Sequence, residues 1–389
     1  MASSKEIVKE LLALADVEIN GSRPFDIQVL DDRFYNRVLE DRNLGLGEAY
    51  MDGWWNCEAI DELICRILQA DLESKLNLKL KINAGLELGK SKIKSLLNPQ
   101  SIARVKKDVP AHYNLGNELF TAMLDKNMAY SCGYFQDEAH EDLERAQDAK
   151  LDLVCRKLDL KPGERVLDIG CGWASFILYA AEHFGVSCDG LTLSSEQMKL
   201  GEERIKEAGL QDKVHFILED YRLYKPEQPY DKLCSIGMLE HVGARNYPDY
   251  FKAASGFLKD NGTFLLHTIG HNITTDDADP WITKYIFPNG YIPSMAQVTS
   301  ALEGYFIVDD VQNIGVHYDY TLMAWFKNFD KAWDRIQKEY PNKYDERFYR
   351  MWKYYLLSCA GAFRARDIHV WQFVLRKKPL DYNPASRSA

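Results

Sequence analysis

The chain has 389 residues, 46% of them hydrophobic and 27% charged, which suits one large folded domain or two rather than a disordered or fibrous protein. A net charge of −10 argues against general nucleic-acid binding, and no apolar run approaches the ~20 residues that cross a bilayer. The eight cysteines are scattered without a Cys-x-x-Cys pair, so neither a metal site nor a disulfide framework is expected.

The N-terminal Met1–Glu6 leads into an amphipathic helix and lacks the apolar core of a signal peptide, which predicts a cytoplasmic location. Residues 1–74 read as a small, mostly helical N-terminal domain. Ile7, Leu11, Leu12 and Leu14 have helical spacing, and Gly21-Ser22-Arg23-Pro24 is a turn before a short strand at 26–29. The glycine- and aromatic-rich run Leu44–Trp55 suggests a compact helix-turn around a tryptophan pair. Residues 60–72 read as a helix.

Residues 75–108 form a basic linker. From 75 to 107, nine lysines and arginines face one acid, Glu87, for a local charge of +8, with leucine and isoleucine interleaved. Such a segment on an acidic protein fits either contact with an anionic membrane surface or a solvated linker helix.

From 109 to 389 the pattern becomes α/β. A helix over 141–158 carries Leu143, Ala146, Leu151, Val154, Cys155 and Leu158 on one side. Strands are expected at 165–169, 186–191, 213–218, 232–237 and 262–267, with helices at about 173–184, 195–208 and 247–258 between them. That rhythm predicts a parallel sheet covered on both faces, with ligands beyond the C-terminal strand ends. The proline- and aromatic-rich stretch 270–300 suggests a lid or apolar pocket wall. A sixth strand at 305–312, aromatic-rich helices over 321–364 and a last strand at 369–375 complete a seven-stranded, Rossmann-like sheet whose last strand inserts antiparallel.

The first strand runs into Gly170-Cys171-Gly172, but Ser175 stands where a dinucleotide fingerprint has its third glycine. This favours an adenosine ligand without a pyrophosphate, such as S-adenosylmethionine. Strand two ends at Thr192 and Leu193 with Gln197 one turn on, and no acid follows it to hold a ribose. Strand three ends at Asp220 and Tyr221, suited to accept from an adenine amino group and to stack on the ring. Strands four and five end near Glu240 and His267, a carboxylate and an imidazole at one mouth that could hold or relay a proton.

Six stretches together resemble the cyclopropane-fatty-acyl-phospholipid synthases: Tyr130-Ser131-Cys132, Gly170–Trp173, Gly237–Gly243, Leu265–Gly270, Lys284–Gly290 and Cys359–Asp367. Leu44–Trp55 resembles the extra N-terminal domain of the bacterial synthases. The resemblance implies a class I S-adenosylmethionine-dependent methyltransferase fold. It also implies transfer of a methylene group to the cis double bond of an unsaturated acyl chain in a membrane phospholipid. The alkene attacks the methyl group, a cation forms, and a base removes a proton so that the ring closes. The implied base is bound bicarbonate, held by Cys132, Glu240, His267, the backbone of Ile269, and Tyr318. The implied cofactor contacts are Tyr113, Ser131, Gly170, Gly172, Thr192, Leu193, Gln197, Asp220 and Tyr221. A homodimer bound peripherally to the inner face of the membrane is also implied.

Aromatic side chains at Tyr134, Phe135, Trp281, Tyr285, Phe287, Tyr318, Phe348 and Tyr354 are candidates to shield and support a cation. Two positions depart from the family pattern: Ala174 replaces a glycine after the tryptophan, and Gly133 replaces an alanine after Cys132. The second is expected to loosen the backbone there. A lipid alkene methyltransferase with a methyl-branched or methylene product, or a silent lipid-binding relative, are the alternatives. Nucleic-acid methylation is disfavoured by charge and by the absence of an Asn-Pro-Pro-Tyr-type motif at Gly237–Glu240.

Overall fold

The computed structural model describes residues 3–72, 75, 115–137, 142–275 and 278–379. The basic segment beyond Lys75, and Tyr113, therefore lie outside the described residues. The N-terminal region opens with α1 (Ser4–Ala13), started by a capping box in which Ser3 and Glu6 satisfy each other's backbone N–H. α2 (Arg33–Met51) is broken at Arg42, whose φ of 50° lies outside the helical range. α3 (Ile60–Gln69) follows, and a two-residue ladder joins β1 (Gln28–Val29) to β2 (Trp55–Asn56). The strand expected at 26–29 thus shrinks to two residues, because Asp26 turns inward to bind Arg23 and the backbone N–H of Glu18.

The α/β unit begins with α4 (Asn117–Met123) and α5 (Leu143–Leu158), the latter capped by Asp142. Then β3 (Arg165–Ile169), α6 (Ser175–Phe184), β4 (Ser187–Thr192), α7 (Ser195–Glu207), β5 (Val214–Leu218) and β6 (Tyr230–Ile236) alternate as expected. α8 (Tyr247–Phe257) leads into β7 (Leu258–His271), a strand of 14 residues that extends past both expected ends. The stretch at 270–300 is not all loop. It holds α9 (Pro280–Tyr285) and α10 (Met295–Leu302), capped by Asp279 and by a Ser294–Gln297 capping box. β8 (Ile307–Asn313), α11 (Val316–Glu339), α12 (Glu346–Arg364) and β9 (Ile368–Arg376) complete the chain.

The seven-stranded sheet has the order β5-β4-β3-β6-β7-β9-β8. The first five strands are parallel, and β9 inserts antiparallel between β7 and β8. The order reverses between β3 and β6, and ligands bind beyond the carboxyl ends of strands at such a switch.

Two apolar clusters cover the faces of this sheet. A third is shared between the N-terminal helices, α4, α11 and α12. The described N-terminal residues, 3–72, therefore share one buried apolar cluster with the C-terminal helices. Two polar contacts and one close backbone approach fix the docking. The Arg364 guanidinium forks onto Asp319 at 2.8 and 2.9 Å and reaches Asp61 of α3 at 2.7 Å. Buried Glu48 accepts from Arg37, from Lys284 at 2.5 Å and from Tyr285 at 2.8 Å. Burial alone would raise its pKa, but these three partners hold it down to about 2. Finally α12 lies against α3 at Gly361, where an added Cβ would sit 2.4 Å from the Asp61 carbonyl oxygen.

Gly361→Ala is expected to force backbone against backbone and cost about 1–3 kcal/mol. Urea unfolding should show a lower midpoint. An unchanged midpoint would mean that α3 and α12 do not pack this closely.

Candidate functional site

The turn after β3 is built by backbone shape. Gly170 and Gly172 have φ of 91° and 54°, and Ala174 follows at 71°. The left-handed region is easy for glycine and costs alanine on the order of 1 kcal/mol, so the methyl at 174 is held there by its surroundings. Those surroundings are tight: the Trp173 indole donates to Asn117 at 3.0 Å, Ser175 donates to the Met128 carbonyl at 2.9 Å, and Arg204 donates to the Trp173 carbonyl.

This turn is one wall of an open cavity at the switch point of the sheet. Seven expected cofactor residues line it together: Ser131, Gly170, Gly172, Thr192, Leu193, Gln197 and Tyr221. Asp220 does not. Arg222 takes both of its carboxylate oxygens at 2.6 and 2.8 Å, and Glu219 and Tyr221 face the cavity instead. At the end of β5, Glu219 is therefore the carboxylate on the cavity wall, while Asp220 is engaged by Arg222. β4 contributes no acid to the cavity. Its Asp189 accepts from the Tyr230 hydroxyl at 2.6 Å, outside the lining.

Two lining groups were not singled out from the sequence. Lys150 of α5 is 1% exposed and donates to the Ser131 hydroxyl at 2.9 Å. Asp168 is buried in β3, with Oδ1 lacking any hydrogen-bond partner. Burial pushes its pKa up to about 7 against the pull of Lys150. An unmatched carboxylate oxygen and a buried ammonium in one cavity suit the ammonium and carboxylate of an amino-acid ligand. Trp173, Met238 and His241 also line it.

The expected catalytic residues sit beyond this cavity. The Glu240 Oε1 accepts from the Ile269 backbone N–H at 2.6 Å, while Oε2 is buried without a partner. Burial raises the Glu240 pKa to about 7, opposed by the Ile269 N–H and the Thr268 hydroxyl. Burial also lifts the Tyr318 hydroxyl far above its ordinary pKa, with Cys132, Tyr130 and Glu240 adding to the effect as near neighbours. Cys132 and Glu240 thus lie within electrostatic reach of the Tyr318 hydroxyl, and Ile269 is hydrogen-bonded to Glu240. His267 is placed two residues before Ile269 on β7, and among the described residues no hydrogen bond joins it to Glu240. Its ring instead meets Gln372 at 3.3 Å. A direct carboxylate–imidazole relay is not formed.

Burial pushes the Cys132 thiol pKa upward, and its S–H points to the Gly133 carbonyl at 3.2 Å, so it is no ready nucleophile. All eight thiols are free, and seven are buried. The backbone at Gly133 is tied rather than loose: its N–H donates to the Thr321 hydroxyl at 3.0 Å, and the next N–H donates to Ala146.

Of the expected aromatics, Tyr318 and Phe287 belong to a cluster beside this spot with Tyr130, Trp325 and Tyr355. Tyr130 lies 5.1 Å from Trp325, and its hydroxyl is 2.8 Å from that of Tyr355. Trp281 and Tyr354 pack against each other at 4.8 Å, over the N-terminal helices, and Phe348 stacks on Trp352. These are packing residues. The polar cofactor cavity and the aromatic cluster therefore meet at Tyr130–Ser131–Cys132.

The switch-point cavity, its glycine turn and the sheet order define an S-adenosylmethionine-dependent methyltransferase. Residues 100–373 match the mycolic acid cyclopropane synthetase family. The chain is 47% identical over 371 residues to the cyclopropane-fatty-acyl-phospholipid synthase of Escherichia coli, covering 95% of this chain and 93% of that protein. It is 36% identical over 278 residues to a probable fatty acid methyltransferase of Pseudomonas putida, covering 69% and 68% of the two chains. Among solved structures it is similar to the cyclopropane synthase MmaA2 of Mycobacterium tuberculosis, with a TM-score of 0.64 at 31% identity, over 69% of this chain and 97% of that one. A mycolic acid cyclopropane synthase solved with SAH and CTAB gives the same TM-score, 0.64, at 32% identity over 70% and 98% of the chains. The chain belongs to the cyclopropane synthase family.

The buried Glu240 carboxyl sets a pH signature. Between about pH 4.5 and 7 the folded protein holds a proton that the unfolded chain has released, so this group weakens the fold as pH rises through that window. Glu240→Gln is expected to raise the melting temperature more at pH 8 than at pH 5. An equal change at both pH values would mean the carboxyl is not kept neutral by burial.

Proposed function

We propose that the protein converts cis-unsaturated acyl chains of membrane phospholipids into cyclopropane chains, using S-adenosylmethionine as the one-carbon donor. The observation that carries this reading is the buried, unmatched oxygen of Glu240, at the junction of an amino-acid-binding cavity and an aromatic-walled space. A plain methyltransferase pocket for a polar substrate has no use for either the aromatic wall or a carboxyl whose pKa burial has raised to about 7.

The overall change balances as follows. The alkene electron pair forms a bond to the transferred carbon, and the carbon–sulfur pair stays with sulfur. A proton leaves the new methyl group, and its C–H pair closes the ring. Bicarbonate would supply the base for that proton. The unpartnered Glu240 Oε2 and the Ile269 N–H bonded to Oε1 support such a group, which Tyr318, Cys132 and His267 would help to hold. Because the Ile269 N–H is engaged by Glu240, an incoming anion would share that donor or take it over.

The remaining work falls to this chain's own side chains. Lys150 and Asp168 would pair with the carboxylate and ammonium of the methyl donor and so point its sulfur toward Tyr130–Cys132. Gln197 and Thr192 would bind the ribose in place of the missing acid, and Glu219 and Tyr221 would face the adenine. The rings of Tyr130, Phe287, Tyr318 and Trp325 would exclude water from a developing cation and present their negative faces to it.

The acyl chain must leave a bilayer to reach this space. No helix among the described residues is long and apolar enough to cross a membrane. The +8 segment from 75 to 107 is therefore read as the element that holds an acidic protein on an anionic surface, each basic residue contributing about 1 kcal/mol. A homodimer would double that attachment. The alternative product, a methyl branch or methylene group, draws on the fatty acid methyltransferase among the similar proteins.

Incubation with vesicles of unsaturated phospholipid and S-adenosylmethionine, read by mass spectrometry, should show a gain of one CH₂ with loss of the alkene signal. A gain of CH₂ with the alkene retained, or no gain, would refute ring formation. Glu240→Ala should remove most turnover while leaving cofactor binding nearly intact. Unchanged turnover would sink its role. Lys150→Met should weaken binding of S-adenosylhomocysteine about tenfold or more by calorimetry, and unchanged binding would remove Lys150 from the cofactor site. Changing Lys90, Lys92 and Lys94 to Glu should weaken binding to anionic vesicles at low salt, and equal binding would refute the membrane reading.

A further inference from the structure

His267 is nearly sealed from bulk solvent, at 2% exposure, so the chain around it decides how its ring is oriented and protonated. On β7 it is the register partner of Gln372 on β9, and the Gln372 amide lies 3.3 Å from the ring Nδ1. On its other side the same amide meets the Lys157 ammonium of α5, at 2.6 Å from Oε1. Gln372 is fully buried and Lys157 is 1% exposed. No exposed surface argues for a lysine in that place, and burying an ammonium is costly unless it is matched.

The chemistry of the three groups leaves one arrangement. The two ends of a glutamine amide have nearly the same shape, so shape does not orient Gln372. Lys157 does, because an ammonium carries three donors and no acceptor and so must face the amide oxygen. The amide NH₂ then faces His267 Nδ1, and Nδ1 must accept. A neutral imidazole with an accepting Nδ1 has its proton on Nε2. The ring is kept neutral as well: burial lowers its pKa well below the ordinary histidine range, and the charges of Lys150 and Lys157 lower it further.

We propose that Lys157 and Gln372 form a buried relay that fixes His267 as the Nε2–H tautomer, so that the ring presents a hydrogen-bond donor to an anion in the catalytic site. The proposal rests on the reading of His267 as a contact of the anionic base. It adds what that reading leaves undetermined, namely which ring nitrogen carries the proton and what holds it there. Lys157 and Gln372 are positioning residues in this scheme. With the opposite tautomer a lone pair on Nε2 would face the anion and repel it.

The test uses the full-length protein labelled with ¹⁵N-histidine, with long-range ¹H–¹⁵N correlation spectra and His267→Gln to identify the ring. In the unaltered protein Nε2 should resonate as the protonated nitrogen and Nδ1 as the unprotonated one. A protonated Nδ1 would overturn the proposal outright. In Gln372→Glu the new carboxylate still pairs with Lys157 but can only accept, so the proton should move to Nδ1. Retention of the Nε2–H tautomer there would also overturn it. Turnover on vesicles should fall about a hundredfold in this variant, the usual cost of losing one donor to a reacting anion, with S-adenosylhomocysteine binding unchanged. If the tautomer reverses and turnover holds, the relay stands and the role of His267 toward the anion falls. If Gln372→Glu does not fold, the spectrum of the unaltered protein decides alone.

Discussion

One mismatch of strand lengths organises the site. β6 stops at Ile236, paired with His267, and the last ladder bond beyond it runs from Gly237 N–H to the His267 carbonyl at 2.9 Å. β7 continues to His271, because β9 covers its other edge as far as Ile368. The next N–H on the uncovered edge, that of Ile269, has no strand to meet. A buried N–H left unpaired costs on the order of 1–3 kcal/mol. The chain turns back after Gly237 in a single 3₁₀ turn at Leu239–His241, and the Glu240 carboxylate fills the gap. A donor at the end of a ladder and a carboxyl brought to it by a tight turn are the pair on which the proposed catalytic site is built.

Around that point the protein buries ionisable groups that most domains keep at the surface. Lys150 and Lys157 lie seven residues apart on one face of α5, beneath the sheet, with Asp168 and Glu240 at the strand ends above. Each carries a desolvation cost, which hydrogen bonds to neutral groups offset only in part. Stability must come from elsewhere, and the large shared cluster of α11, α12 and the N-terminal helices is the obvious source. There Trp55, Trp325 and Trp352 are fully buried, and the Arg364 fork joins Asp319, beside Tyr318, to α3. The N-terminal helices thus bear on the site through one guanidinium as well as through apolar packing.

Much of the frame was legible in the sequence, because strand and helix periods in an α/β alternation are local signals. The glycine turn, the strand ends and the late antiparallel insertion all fell near their expected places. The inner lysines were not legible by the same means. An apolar face counted on α5 passes over Lys150 and Lys157, although Gln147, Lys150, Val154 and Lys157 repeat at three- and four-residue steps and share a buried face. Polar residues in a helical stripe were the missed signal. Asp220 stands off the cavity wall for a different reason: Arg222, two residues on, engages its carboxylate, and only geometry shows that. The contacts of Arg364 with Asp61 and Asp319 join residues far apart in sequence, and nothing local announces them.

The free thiols have a consequence outside the chemistry of the site. They are spread over the molecule: Cys57 and Cys132 in the cluster shared with the N-terminal helices, and Cys155, Cys171, Cys188 and Cys234 beneath the sheet. Burial raises the pKa of Cys57 to about 12 and does the same to Cys359. A closed protein therefore offers an alkylating reagent almost no thiolate, and labelling proceeds only as fast as each neighbourhood opens. The order in which the cysteines are modified would trace the order in which the parts of this fold breathe, with no foreign probe introduced.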